Sequence, residues 1–342
     1  MTVSELKLRI KDANLAGAYI FCGEEDYLKK YYVREMAKLI SPDEAFAPFN
    51  VITFDGDDVS VDDIAEAMKS PPMMADLKLV EWKYPELDSM AESSRKAIEA
   101  LAESLSEYPY TVLVLVTDQD GFDPGTVKRP SKLAARLAKS FNVINFEKST
   151  DAQLVGWLKR HFDTEGIETD PATLSALIFR SGHSMEILLG EVKKLAAYCH
   201  ANKIGKLDKS TVFSVASSTL ECDAFALSTA ITDKNRDAAF IALADMEQRR
   251  MDANAVLAML SRTFSELCTV ALLLEEGKDA KDMEAILRWN PYKIKISIAS
   301  AKKWGKERLS DALARIRKLD SESKSGGISG YKTVEMFVCR YL

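Results

Sequence analysis

The sequence predicts an α/β domain built on a mostly parallel sheet, followed by helices alone. Three observations lead there. Residues 18–146 alternate short β-branched and aromatic runs with stretches of helical period, and from Thr150 onward the strand runs stop. The chain, at 342 residues, also exceeds what one ordinary core can organise, so two or three domains are expected.

The strand runs are AYIFC (18–22), FNVITF (49–54), LKLVEW (77–82), TVLVLV (111–116) and FNVINF (141–146). Their content of Val, Ile, Phe and Trp suits a pleated, buried surface. Between them apolar residues recur at helical spacing: Leu28, Tyr32, Met36 and Leu39; Ile64 and Met68; Ile98, Leu101 and Leu105; Leu133 and Leu137. Strands alternating with helices in this way form a parallel sheet covered on both faces. The first domain is therefore expected over residues 1–146 as a five-stranded α/β unit.

Around Glu147 the pattern changes. Thr150 caps a helix carrying Leu154, Trp157 and Leu158, Asp170-Pro171 opens another, and helices over 185–198 and 208–215 follow. A small helical domain is expected over 147–216, with Ser217-Ser218-Thr219 as the next boundary. Residues 217–342 read as helical throughout. Leu257, Leu260, Phe264, Leu267, Ala271 and Leu274 form one long seam that must pack on other helices, within the chain or between chains. Two shorter faces follow, at Leu309 to Leu319 and Tyr331 to Tyr341, joined by the Gly/Ser run 321–330.

Composition excludes several function classes. Hydrophobic residues at 47% and charged residues at 29% are the balance of a folded, soluble protein. No run of about 18 uncharged apolar residues is present, and residues 1–10 lack a signal-peptide core, so a cytoplasmic, membrane-free protein is expected. The 5 cysteines are scattered without a CxxC pair, which argues against a disulfide framework and a zinc knuckle. A net charge of -6 gives no general pull toward nucleic acid. Its distribution is uneven: 43–66 holds 8 acids and no base, whereas 281–310 holds 8 bases against 3 acids. Both fit solvated surface, and the second also fits a phosphate contact.

Catalytic signals are weak. The loop after the first strand, where such a sheet would hold a nucleotide phosphate, reads Cys22-Gly23-Glu24-Glu25-Asp26. One glycine and three acids stabilise a helix start but repel a triphosphate, and the Lys-Ser/Thr pair of a phosphate cradle is missing. Lys83 and Tyr84 stand where an NTPase of this class would place its acidic pair. Asp118 and Asp120 lie in an ordinary turn sequence, and His161, His183 and His200 have no relay or metal spacing. No cofactor and no metal are expected. One stretch stands out instead: SPPMMADLKLVEW (70–82), where two prolines stiffen the chain ahead of Met73 and Met74. Those side chains suit a gap in a core as well as a shallow pocket on another protein.

The order of parts resembles the delta subunit family of the bacterial DNA polymerase III clamp loader. The motifs that carry the resemblance run along nearly the whole chain: Tyr19-Ile20-Phe21-x-Gly23-Glu24-Glu25-x-Tyr27-Leu28; Pro72-Met73-Met74-x-x-x-x-Leu79-Val80; Gly182 with Leu188, Glu191, Lys194 and Leu195; Leu260-x-Arg262-x-Phe264; and Leu319-Asp320 with Lys324-Ser325-Gly326. The resemblance implies an AAA+-like module, a five-stranded α/β domain with a small helical lid at 147–216, that has lost its ATP site. It also implies a helical collar at 217–342 that joins neighbouring loader subunits in a hetero-oligomeric ring, through the seam helix at 252–276 and the last helix at 331–341. The lid segment 182–186 has no arginine where active relatives carry one for the nucleotide, and no zinc ligands are present. By the same resemblance, Pro72, Met73 and Met74 bind the sliding clamp (the beta subunit) and help open its ring for loading onto primed DNA, without intrinsic catalysis. Leu or Phe is usual there, and two methionines are a departure that keeps apolar volume but gives up rigidity. Lys293, Lys295, Lys302, Lys303 and Lys324 are the candidate DNA contacts within the polymerase holoenzyme; the family motif does not assign them. An active ATPase or a helical DNA-binding adaptor are the alternatives.

Overall fold

The computed structural model describes residues 1–55, 59–126, 128–325 and 330–342. These divide into two compact units, Met1–Ser149 and Thr150–Leu342. The expected lid-to-collar boundary at 216–217 falls inside the second.

The first unit runs α1 (Val3–Lys11), β1 (Gly17–Cys22), α2 (Asp26–Ile40), the single turn α3 (Ala47–Asn50), β2 (Val51–Asp55), α4 (Val61–Lys69), β3 (Lys78–Lys83), α5 (Glu92–Ser104), β4 (Thr111–Val116), a two-residue pair β5 (Gly125–Thr126) and β6 (Arg129–Pro130), α6 (Lys132–Leu137) and β7 (Asn142–Asn145). All five expected strands form one parallel sheet in the order β2-β3-β4-β1-β7. Alternation along each strand feeds two cores. Ile20, Val80, Trp82 and Leu113 pack with Ile64, Met68, Ile98 and Leu137 on one face. Tyr19, Phe21, Leu79 and Val114 pack with Leu6, Tyr32 and Met36 on the other.

Three local expectations change. Phe49 and Asn50, expected to open β2, belong to the preceding turn α3, where Pro48 pre-sets the backbone. Leu39, expected on the buried stripe of α2, is exposed, because Ile40, four residues on from Met36, takes the inward position of the last turn. Helix α1 was not anticipated, although its signal is present: Thr2 and Glu5 close a capping box.

The second unit is helical: α7 (Asp151–Thr164), α8 (Pro171–Ser181), α9 (Met185–Ala201), α10 (Lys209–Val215), α11 (Leu220–Thr232), α12 (Arg236–Gln248), α13 (Ala253–Glu275), α14 (Ala280–Leu287), α15 (Pro291–Trp304), α16 (Lys306–Lys324) and α17 (Tyr331–Tyr341). The Gly/Ser run is helical through Lys324, and its residues 326–329, Gly326 of the last motif included, lie outside the described set. By length and composition α13 is apolar enough to cross a membrane. Its seam is instead the centre of the unit, with Leu257, Leu260, Phe264 and Leu267 fully buried against α11, α15, α16 and α17. Phe264 meets Trp304 and Phe337 edge-on at 4.9 and 5.3 Å.

Motif residues of this unit hold it together. Glu191 is buried, pairs with Lys194 at 2.7 Å and accepts from the Ser217 N–H at 3.2 Å. Arg180 Nε donates to the Ala216 carbonyl at 2.6 Å, and Ser181 Oγ to that of Ser217 at 2.8 Å. The expected boundary segment 216–219 is thus pinned to α8 and α9 rather than free.

Candidate functional site

A parallel sheet has two chemically different edges, and the sequence singled out a feature at each. At the carboxyl edge, Gly23 follows β1 at φ +99°, and a Cβ there would lie 2.3 Å from Asn145 Oδ1 and 2.6 Å from the Phe146 carbonyl. Only glycine fits, yet the close approach serves the chain itself, because the Glu25 N–H donates to that carbonyl at 2.9 Å. Lys29 is buried and turns back from α2. It donates to the carbonyls of Gly23 at 2.9 Å and Thr117 at 2.7 Å, and pairs with Asp26 at 2.8 Å, which uses all three ammonium protons. Burial pushes Glu25 above the ordinary carboxylate range, against the opposing Ser149 N–H, and pushes the Cys22 thiol up to about 12. The adjoining cleft, about 620 Å³, is lined by Glu24, Asp120, Asp123 and Glu147; its one described cation, Lys148, pairs with Glu24 at 3.3 Å. This edge is electrostatically closed to a polyphosphate.

Asp118 and Asp120 lie in a turn in which Asp118 Oδ1 accepts from the Gln119 N–H at 2.9 Å and its carbonyl from Gly121 at 3.2 Å. His161 packs edge-on against Trp157, and His183 pairs with Asp151 at 3.0 Å. Among the described residues no cluster of His, Cys, Asp and Glu suits a metal ion.

The amino edge carries the methionine loop. Loop 70–77 enters β3 from the end of α4, whose last carbonyls would otherwise lack donors. Lys78 Nζ donates to the Ala67 carbonyl at 2.8 Å, to that of Ser70 at 3.3 Å, and to Ser70 Oγ. Thr111 Oγ1 takes the Met68 carbonyl at 3.1 Å and Tyr110 OH that of Lys69 at 2.7 Å. A cation at a helix C-terminus adds about 0.3–1 kcal/mol through the helix dipole. Lys78 is buried, which lowers its pKa from the usual lysine value.

Asn50 holds the loop from the other side. Fully buried at the end of α3, it donates Nδ2–H to the Met73 carbonyl at 2.8 Å and accepts the Met73 N–H at Oδ1, 2.7 Å away. Both backbone groups of Met73 are therefore satisfied from below, and its side chain is left free to face outward. Met73 is 44% exposed and Met74 84% exposed. Met74 adopts φ +53°, a left-handed conformation that costs a non-glycine residue about 1–2 kcal/mol. Of the seven such residues among those described, Ala13, Lys203, Lys234, Arg250 and Arg288 each follow a helix C-terminus, where that conformation closes the cap. Met74 and Tyr84 do not, and they flank the two ends of β3. Asn50 was missed by sequence reasoning, since nothing local marks a contact made 23 residues away.

The basic candidates separate. Lys293 is 7% exposed and its ammonium is shared by Glu221 at 2.6 Å and Glu266 at 2.8 Å, with Arg262 on Glu266 at 3.1 Å. A buried, twice-neutralised lysine has no charge to offer DNA, which corrects its assignment as a phosphate contact. Lys303 and Lys324 are exposed but paired with Asp233 and Asp320, each at 2.7 Å. Lys295 and Lys302, one heptad apart on α15, are exposed and make no ion pair among the described residues.

Comparison with known proteins agrees with this architecture. The model for the DNA polymerase III delta subunit matches residues 19–147, and that for the C-terminal domain of the same subunit matches 221–341. DNA polymerase III subunit delta of Bacillus subtilis (strain 168) is 23% identical over 343 residues, covering 97% of this chain and 95% of the relative. The solved structure of the Bacillus subtilis DNA clamp loader delta protein (YqeN) aligns over 99% of both chains at TM-score 0.57 and 20% identity, a likeness of fold. With a parallel sheet trailed by helices, and with models of the same subunit matched over both parts, the chain belongs to the DNA polymerase III delta subunit family.

Proposed function

We propose that this subunit binds the sliding clamp through Pro72, Met73 and Met74 and opens the clamp ring for loading onto primed DNA, contributing no catalysis of its own. The observation that carries the reading is the exposed methionine pair on a loop clamped by two buried side chains, Asn50 and Lys78. Large apolar side chains are not presented this way by accident of packing: the chain accepts a left-handed residue to do it. Burying two methionines in a pocket on the clamp contributes about 1.5–3 kcal/mol each.

The carboxyl edge fits the same division of labour. Its anion site is occupied by the protein's own Lys29, Glu25 and Asp26, so nucleotide-driven work falls to other subunits of the ring. The helical seam of α13 and the face of α17 are consumed within the second unit, which leaves the exposed pair Phe240 and Ile241 on α12 as a collar surface for neighbouring subunits. Lys295 and Lys302 are the phosphate contacts, with Lys303 and Lys324 contributing after exchange of weak surface pairs.

The test is a titration with the cognate clamp. Saturable binding by the wild type that falls at least ~30-fold, equivalent to ~2 kcal/mol, in Met73→Ala/Met74→Ala at unchanged melting temperature supports the reading. Unchanged affinity overturns the site, and saturable ATP binding by the isolated chain overturns the division of labour.

A further inference from the structure

Ahead of β2 the amino edge carries a second apolar segment that the methionine pair does not account for. Residues 45–49 read Ala-Phe-Ala-Pro-Phe, five apolar residues in a row, and none of them is buried. Phe49 is 53% exposed. Among the described residues, Phe46 and Phe49 belong to neither core of the sheet. A run of exposed apolar residues is a liability to a folded chain unless something covers it.

The segment is nonetheless ordered. Asp43 Oδ1 accepts from the Ala45 N–H at 2.9 Å and the Asp43 carbonyl from Phe46 at 3.2 Å. The Phe46 carbonyl in turn accepts from the N–H groups of Phe49 and Asn50 at 3.0 and 3.2 Å, and Pro48 fixes its own φ between them. Phe49 is therefore held out by a closed turn and not by a loose loop.

Asn50 ties this segment to the methionines. The strands β2 and β3 are hydrogen-bonded neighbours, so the segments that lead into them share one edge. Asn50 follows Phe49 in the chain, and its side chain holds both backbone groups of Met73, at 2.7 and 2.8 Å. Summed bond by bond, that link leaves the Cα atoms of Phe49 and Met73 no more than about 12 Å apart. A specific protein partner covers ~800 Å² on each side, a patch roughly 30 Å across. A partner centred on Met73 and Met74 therefore also reaches position 49.

We propose that Phe49, flanked by Phe46 and Pro48, is a second anchor for the sliding clamp, continuous with the methionine pair. The proposal rests on the clamp-binding reading above. The two elements differ in kind: the methionines adapt their shape to a pocket, whereas the phenylalanine is a flat, stiff ring that loses less freedom on burial. Asn50 sets the spacing between them, because one side chain fixes the backbone of both.

The experiment titrates the full-length chain with the purified cognate clamp, using the wild type, Phe49→Ala, Phe49→Leu, Met73→Ala/Met74→Ala and Ile286→Ala, the last at a residue of α14 that is also 53% exposed. Phe49→Ala is expected to weaken binding roughly 10-fold at an unchanged melting temperature. Phe49→Leu, which keeps most of the apolar volume, is expected to stay within roughly 3-fold of the wild type, and Ile286→Ala to match it. In parallel, Phe49 or Met74 is replaced by p-benzoylphenylalanine and irradiated with the clamp and the assembled loader; a covalent adduct to the clamp from both positions is the expected result. If Phe49→Ala binds as the wild type does, or position 49 gives no clamp adduct while position 74 does, the second anchor is overturned and the clamp-binding reading stands. An adduct from position 49 to another loader subunit in place of the clamp overturns it equally, as does a fall in melting temperature as large as that of Asn50→Ala. If the wild type itself does not bind the clamp, both readings are overturned together.

Discussion

Two buried lysines, one at each edge of the same sheet, use the same chemistry toward opposite ends. Lys29 and Lys78 each spend all three ammonium protons on nearby protein oxygens. At the carboxyl edge those oxygens belong to the loops after β1 and β4 and to Asp26 of α2, so Lys29 draws the strand ends and the helix start together. At the amino edge they belong to the end of α4, so Lys78 stiffens a stem, and the residues that follow the stem face solvent. A parallel sheet offers a ligand site at its carboxyl edge by default. Here that edge is lined with acids, and the exposed methionine pair stands at the other.

The comparison is most exposed to substitution at the lysines themselves. Lys29→Met and Lys78→Met each leave two carbonyls without their lysine donor, buried or part-buried, and each is expected to destabilise the chain by about 1–3 kcal/mol in denaturant titrations. Only Lys78→Met should also weaken clamp binding when measured under conditions where both variants are folded. Equal losses of binding would erase the distinction between the edges.

Next in size is Asn50→Ala. It removes both hydrogen bonds to Met73 and leaves a buried gap, at an expected cost of about 1–2 kcal/mol in stability. Freed of its clamp, the loop must be ordered on binding, and affinity for the clamp should drop in a calorimetric titration with a more unfavourable entropy. A variant that loses stability but binds with unchanged entropy would show that Asn50 supports the fold and not the presentation.

Met74→Gly separates stability from function at a single residue. Glycine takes φ +53° without the Cβ penalty, so the variant is expected to gain about 0.5–1 kcal/mol in thermal unfolding while clamp affinity falls. Loss of both would mean that the left-handed backbone is not strained.

The smallest effect concerns Glu25. Burial raises its pKa in the folded state above the ordinary 4.5, so at neutral pH the folded chain holds a charged group at a disadvantage. That disadvantage is present above the folded pKa and disappears as pH falls toward 4.5. Glu25→Gln should therefore be more stable than the wild type at pH ~7, with the gap narrowing on acidification. A gap that widens as pH falls would contradict the burial of that carboxyl.

How much of this was legible depended on the distance over which each contact acts. The five strands followed from local composition, because β-branched and aromatic runs bounded by turns have few other uses. The acid-filled loop after β1 was equally plain, since a phosphate cradle is a matter of neighbouring residue types. Leu39 misled because Leu39 and Ile40 both fit a helical spacing from Met36, and only packing decides that Ile40 is the one turned inward. Lys293 misled because charge density along the chain does not say which ammonium has two carboxylates waiting in space. Lys78 carried no signal in the sequence, because the carbonyls it caps at the end of α4 lie 8 and 11 residues away.

By itself the sequence determined the order of the parts, the acid-filled loop after β1 and the singling out of Met73 and Met74. Those are properties of residue type and near-neighbour spacing. Whether the pair faced a core or solvent was decided only by tertiary structure, through Asn50, Lys78 and Tyr110, none of which is adjacent to Met73 in the chain. A side chain's exposure is fixed by what satisfies the backbone beneath it, and here those partners are supplied by α3 and by the starts of β3 and β4.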